Sequence, residues 1–224
     1  VAFIGGGGKT SLILRLAREL APACRVLVTS LTKMGPIPGW EPVFLAEGGI
    51  PSNRPEVNPL YLLDRPLATD KFGGIDELTL HHLAPGWDLT LVEADGARRK
   101  PVKFHREPDP VLSRKMSLVL VVVGAEAVGQ SPRTCVHRWE EFCSFWGLSP
   151  DQALSPVALA RVVTDPEGYG SRIPEGVPIS YFVNQADRAP QSARRLAEAI
   201  RARSRSPVYW GSVAAGWLEP VAGS

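Results

Sequence analysis

A chain of 224 residues, 44% of them hydrophobic, can bury one substantial core and is expected to form a single domain over residues 1–224. Its 25 basic and 23 acidic side chains leave a net charge of +2, which gives no global attraction to nucleic acid or to an anionic membrane. No apolar stretch reaches membrane-spanning length, and no signal peptide is visible. Cys24, Cys135 and Cys143 form neither a disulfide framework nor a zinc-type C-x-x-C, so a reducing cytoplasm is the expected compartment.

Short β-branched runs alternate with helical patterns. Strands are expected over residues 1–4, 25–30, 43–46, 89–94, 117–123, 179–184 and 208–210, and helices over 10–20, 75–83, 134–146, 156–163 and 192–203. Several strands are apolar on both faces, as strands covered by helices on two sides should be. The expected fold class is α/β: a three-layer αβα sandwich with a mainly parallel sheet, of the P-loop NTPase-like kind. Residues 31–71 are rich in Pro and Gly and weakly periodic, which points to a long excursion over the carboxyl edge of the sheet. Ligands of such sheets bind beyond the carboxyl ends of the strands, where the loops after residues 4, 30, 94, 123 and 184 would lie.

The first of those loops is Gly5-Gly6-Gly7-Gly8-Lys9-Thr10-Ser11, between an apolar run and a helical pattern. Glycines let successive N–H groups converge on a phosphate, and the N-terminus of the next helix adds positive dipole. Lys9 would reach the β and γ phosphates of ATP or GTP, and the Thr10 hydroxyl would bind Mg²⁺. Phe3 stands where G-x-x-x-x-G-K-[ST] needs its first glycine, so the loop reads as the shorter G-x-x-G-K-[ST] found in some ATP-dependent ligases. The alternative is a flexible glycine turn.

Leu91-Val92-Glu93-Ala94-Asp95-Gly96 is a hydrophobic strand ending in two carboxylates and a glycine. Alternation puts Glu93 and Asp95 on one face, where an acid can hold the Mg²⁺ shell or orient a water, Asp95 being the one expected on the metal, and the Gly96 N–H can meet the γ-phosphate. Solvated acids at a strand end are the alternative. Thr29, Ser30, Thr32 and Lys33 cluster where the second strand ends, with Thr32 placed to touch the metal.

Val183-Asn184-Gln185-Ala186-Asp187 resembles the N-K-x-D base-reading motif, in which an aspartate accepts from guanine N1–H and N2–H₂; a helix cap is the competing reading. Gly211-Ser212 can line the same pocket. Arg98, Arg99, Lys100, Lys103 and Arg106, with His105 among them, read either as a seat for an anionic substrate or as a solvated face. Cys135 and Cys143, eight apart on one expected helix, read as small buried hydrophobes, and His81, His82 and His137 as surface or capping residues.

In order along the chain, Gly5 to Ser11, Leu31-Thr32-Lys33-Met34, Val92 to Ala97, Lys103 with Glu107-Pro108, Val123-Gly124-Ala125 with Gly129, Val136-His137-Arg138, and Val183 to Asp187 resemble the YqeC family. The resemblance covers nearly the whole chain. It implies a phosphate-loop protein that helps mature, or supplies labile selenium to, a molybdenum hydroxylase. Carried over by position, Lys9 and Thr10 are its phosphate and metal residues, Glu93 and Asp95 its acidic pair, Asn184 and Asp187 its base readers, and His137-Arg138 a family pair suited to substrate or client. Ser30-Leu31 stands where the family runs in threonines, and Gln185 where it has lysine.

The expected activity is therefore that of a Mg²⁺-dependent nucleoside triphosphatase acting as a maturation factor, catalysed by Lys9, Glu93 and Asp95. An ATP-dependent ligase or kinase acting on a small anion, seated by the basic segment, is a second reading. A nucleotide-gated binding module without turnover is a third.

Overall fold

The computed structural model describes residues 1–47 and 57–222. In chain order the elements are β1 (Ala2–Gly5), α1 (Lys9–Leu20), β2 (Val26–Ser30), β3 (Val43–Phe44), β4 (Leu60–Leu63), β5 (Arg65–Ala68), β6 (Lys71–Gly73), α2 (Glu77–Leu83) and β7 (Leu89–Glu93). There follow β8 (Val102–Lys103), β9 (Val119–Gly124), α3 (Pro132–Cys135), β10 (Val136–His137), α4 (Trp139–Trp146), α5 (Pro156–Thr164), β11 (Ile179–Asn184), α6 (Pro190–Arg203), β12 (Val208–Ser212) and β13 (Trp217–Pro220).

Nine strands form one sheet in the order β13-β12-β11-β9-β1-β7-β2-β4-β3, parallel throughout except for β13 against β12. The α/β class and the mainly parallel sheet are as expected. Strand alternation explains the two helical layers. In β1 the side chains of Ala2 and Ile4 enter one core and Phe3 the other; in β11 Tyr181 and Val183 oppose Phe182. The Phe3 face is covered by α1 through Leu12, Ile13 and Ala17. The opposite face packs against α4, α5 and α6, where Ala193, Leu196, Ala197 and Ile200 recur at helical spacing. Ser155 caps α5 by accepting from the Ala158 N–H at 3.1 Å, with Pro156 pre-set in the first turn. Phe142 and Leu159 are fully buried, and truncating either to alanine would cost roughly 2–5 kcal/mol.

Three expectations about elements change. The excursion over 31–71, of which 48–56 lie outside the described residues, is not purely a loop over the sheet edge. Besides β3, which lies within the strand expected over 43–46, it supplies β4 to the main sheet and β5 to a hairpin whose second strand, β6, runs on to Gly73. The run Leu60-Tyr61-Leu62-Leu63 is buried on both faces, so it lacks the alternation by which a strand is recognised. The single helix expected over 134–146 is broken. Val136 and His137 pair in parallel with Val102 and Lys103, and Arg138 turns the chain at φ 67° before α4. Cys135 and Cys143 thus sit on different helices, yet both are buried, and burial pushes the Cys135 thiol up to about 11. Finally, β13 adds an antiparallel edge that was not expected.

Candidate functional site

The glycine loop leaves β1 and enters α1 with Gly7 and Gly8 at φ 79° and 111°, in backbone that only glycine adopts freely. Close packing adds to the demand: a Cβ on Gly7 would stand 2.3 Å from the Gly124 nitrogen. The first three N–H groups are used inside the protein. Gly5 donates to Asp95 Oδ2 at 2.8 Å, Gly6 to the Val122 carbonyl at 2.9 Å and Gly7 to the Lys100 carbonyl at 3.1 Å. The next four, on Gly8, Lys9, Thr10 and Ser11, have no partner among the described residues. They stand at the positive end of a 12-residue helix with no acidic side chain in its first turn. This is a fit for the anionic oxygens of a phosphate.

Lys9 folds back over the loop. Its Nζ donates to the Gly5 carbonyl at 2.6 Å and lies 2.9 Å from Asp95 Oδ1. Asp95 is fully buried, and its Oδ2 also meets His105 Nε2 at 2.5 Å, with Lys103 Nζ 3.8 Å away. Burial would raise its pKa, but Lys9, His105 and Lys103 overturn that and hold the carboxyl well below the ordinary range. For Lys9 the same competition ends the other way: burial lowers, yet Asp95 and Glu93 keep the ammonium above its usual value.

Glu93 is a separate carboxylate. Its Oε2 accepts the Thr10 hydroxyl at 2.6 Å, and burial pushes its pKa up against the pull of Lys9. Thr32 is linked to the Glu93 backbone through Ser30, whose Oγ donates to the Glu93 carbonyl at 3.1 Å and sits 3.4 Å from Thr32 Oγ1. The Gly96 N–H has no partner among the described residues.

At the end of β11, Asn184 braces the loop. Its Nδ2 donates to the Gly7 carbonyl at 2.8 Å and its Oδ1 accepts from the Val213 N–H at 3.0 Å. Asp187 Oδ1 accepts the Ser212 hydroxyl at 2.6 Å. A cleft of about 600 Å³ runs from Gly7, Gly8 and Ser11 to Asp187, with Trp40 on its rim. Gln185, at φ 71°, turns its Oε1 toward Gly124, 2.2 Å from where a Cβ there would stand.

The basic segment divides. Arg98 and Arg99 are exposed, side by side in left-handed backbone at φ 47° and 63°, next to the Lys100 carbonyl that holds Gly7. Lys103 is instead fully buried and paired with Asp109, which also takes Arg138 at 3.2 Å. Tyr169 closes this cluster by accepting the Lys103 N–H at 3.1 Å and donating to its carbonyl at 2.9 Å. His137 pairs with Lys103 along β10 and β8, and burial with nearby Arg138 lowers its pKa to about 4. Asp109 and Tyr169 carry no local signal in sequence. His105 does not appear as more than one member of a basic run until Asp95 is seen against it.

The family model described as YqeC protein matches residues 1–140. An Escherichia coli (strain K12) protein named "Uncharacterized protein YqeC" is 30% identical over 228 residues, covering 99% of this chain and 87% of its own. No solved structure matches.

Proposed function

The chain belongs to the YqeC family, and from that premise and the geometry of its glycine loop we propose that it is a Mg²⁺-dependent nucleoside triphosphatase that serves the maturation of a molybdenum hydroxylase, or selenium or cofactor insertion into it. The observation that carries the nucleotide reading is the row of four N–H groups from Gly8 to Ser11 that have no partner among the described residues, beside a cleft that Gly8 and Ser11 line together with Asn184 and Asp187. On this reading Lys9 turns from Asp95 to the β and γ phosphates. Thr10 and Glu93, already sharing a hydrogen bond, would hold Mg²⁺ with Thr32 nearby; bound there, the ion neutralises charge that builds on the phosphates. Asp95, released from Lys9, keeps Gly5 and His105 and orients the attacking water or the loop itself. Asp187 accepts from the base, and the Ser212 hydroxyl fixes its carboxylate.

Arg98 and Arg99 support a second reading, transfer to a small anionic acceptor as in a ligase or kinase. Two exposed cations held in costly backbone beside the loop suit an anionic partner. Titration calorimetry of the whole chain with ATP and with GTP, each with and without Mg²⁺, followed by product analysis, separates these. Nucleoside diphosphate plus phosphate supports hydrolysis, and a modified acceptor supports transfer. A folded protein that binds neither nucleotide at millimolar concentration would sink both. The maturation role is tested in cells lacking the protein: unchanged hydroxylase activity and selenium content would remove it.

A further inference from the structure

From the glycine loop inward, five charged side chains are linked in a series whose signs alternate. Lys9 Nζ lies 2.9 Å from Asp95 Oδ1, and Lys103 Nζ lies 3.8 Å from Asp95 Oδ2 while pairing with Asp109 Oδ2. Arg138 Nη1 reaches that same Asp109 oxygen at 3.2 Å. Asp95 and Lys103 are fully buried. Two carboxylates thus share three cations. His105 adds no fourth charge, because burial lowers its pKa and leaves the ring neutral near neutral pH.

Lys9 is the end cation of the series, and a triphosphate in the glycine loop would draw it off Asp95. Asp95 Oδ1 has no hydrogen-bond partner among the described residues, so that departure removes the charge that covers it. A buried carboxylate stripped of its cation is strongly disfavoured, and the same attraction holds Lys9 back from the phosphates. Asp95 Oδ2 keeps the Gly5 N–H and His105 Nε2, but neither carries a formal positive charge. Lys103 can supply one. Burial lowers its pKa despite Asp95 and Asp109, the mark of an ammonium that gains from a closer carboxylate. Its backbone is fixed by the Tyr169 hydroxyl, 3.1 Å from the N–H and 2.9 Å from the carbonyl, so only the side chain need move. A shift of about 1 Å takes the ammonium from 3.8 Å to hydrogen-bonding distance of Asp95. Asp109 then keeps Arg138, and two cations face two carboxylates.

We propose, resting on the nucleotide reading above, that Lys103 is a positioning residue for nucleotide binding, its ammonium taking over Asp95 as Lys9 turns to the phosphates. Lys103 touches no phosphate and acts through Asp95 and Lys9. The same move hands Asp109 to Arg138, whose Nη1 also donates to the Phe104 carbonyl at 3.3 Å. Occupancy of the glycine loop is thereby carried to the turn between β10 and α4, where Arg138 sits.

The test is calorimetry of the whole chain with the Mg²⁺ complexes of the non-hydrolysable β,γ-imido analogues of ATP and GTP. It compares the unmodified protein, Lys103→Met, Asp95→Asn and the double variant, each checked for folding by circular dichroism. Lys103→Met is expected to weaken binding at least about tenfold, but by less than about threefold in the Asp95→Asn background, because a neutral amide needs no replacement cation. A merely structural Lys103 would lower stability and leave affinity alone, or lower affinity equally in both backgrounds, and either result overturns the proposal. If Lys103→Met does not fold, a crystal structure of the unmodified chain with the bound analogue decides. Lys103 Nζ within about 3.2 Å of an Asp95 oxygen supports the takeover, and Nζ left on Asp109 away from Asp95 overturns it. An unmodified chain that binds neither analogue at millimolar concentration removes the nucleotide reading and the takeover with it, whereas binding that ignores Lys103 removes the takeover alone.

Discussion

Lys9 Nζ stands 2.9 Å from Asp95 Oδ1, and both side chains are buried. The ammonium of the glycine loop is thus held on a carboxylate just beyond the end of the neighbouring strand. Removing one member leaves the other charged and dry, which typically costs about 3–5 kcal/mol.

Lys9→Ala should abolish nucleotide binding and also destabilise the fold by about 3 kcal/mol or more. Adding Asp95→Asn should return part of that loss, a coupling of roughly 1–3 kcal/mol by chemical denaturation. Strictly additive effects would show that the pair is not energetically linked. Nucleotide affinity unchanged in folded Lys9→Ala would remove the phosphate-loop reading.

Thr10→Ala and Glu93→Gln should each reduce the gain in nucleotide affinity on adding Mg²⁺ by about tenfold, a single charge-assisted contact's worth, while changing metal-free binding little. Asp95→Asn should instead lower turnover roughly a hundredfold with binding retained, the signature of a group that acts mainly in the transition state. Calorimetry with and without EDTA and a phosphate-release assay read the two effects separately. If Glu93→Gln leaves the metal dependence intact, the metal carboxylate is not Glu93.

Base choice rests on Asp187, whose carboxylate Ser212 orients at 2.6 Å. If it reads guanine, Asp187→Asn should weaken GTP binding and strengthen that of xanthosine triphosphate, each by a factor of about ten or more. ATP competing as well as GTP in the unmodified chain would reduce Asn184 to Asp187 to a structural brace.

The His137 pKa is lowered to about 4 by burial and by the cations around it. A depressed folded value means that the neutral ring favours folding above the unfolded pKa, near 6.5, and that this contribution fades as pH falls toward 4. His137→Gln should flatten the stability profile in that window by roughly 1 kcal/mol, a figure discounted because the ring is only partly buried. Identical profiles for the two proteins would contradict it.

The basic segment should split in function as it does in space. Arg99→Gly relieves a left-handed backbone position and is expected to leave stability equal or up to about 1 kcal/mol higher. Together with Arg98→Ala it should nonetheless depress maturation of the hydroxylase in cells while basal hydrolysis survives. Lys103→Met strips a cation from Asp109 and Asp95 and should cost about 3 kcal/mol or more. Intact hydroxylase activity in the double arginine variant would make Arg98 and Arg99 a solvated face.

The glycine loop between β1 and α1, the acidic strand end and the Asn184 to Asp187 turn were legible in the sequence because each is a contiguous pattern: an apolar strand, a turn of fixed composition and the start of a helix. The helices α1, α5 and α6 were legible for the same reason, since periodicity states which face of an element is apolar. Tertiary structure alone decided the rest. Whether Val136 and His137 extend a helix depends on Val102 and Lys103 offering a strand to pair with, some thirty residues away. Leu60 to Leu63 became a strand because the edge of β2 was free to receive it. Lys103 looked like its solvated neighbours Lys100 and Arg106, yet it is buried because Asp109, Asp95 and Tyr169 together satisfy its ammonium and backbone. Hydrophobic pattern is written along one segment, whereas the pairing of buried charges and hydrogen-bonding groups needs partners from several, so only the folded chain could show that His105 Nε2 meets Asp95 in the core.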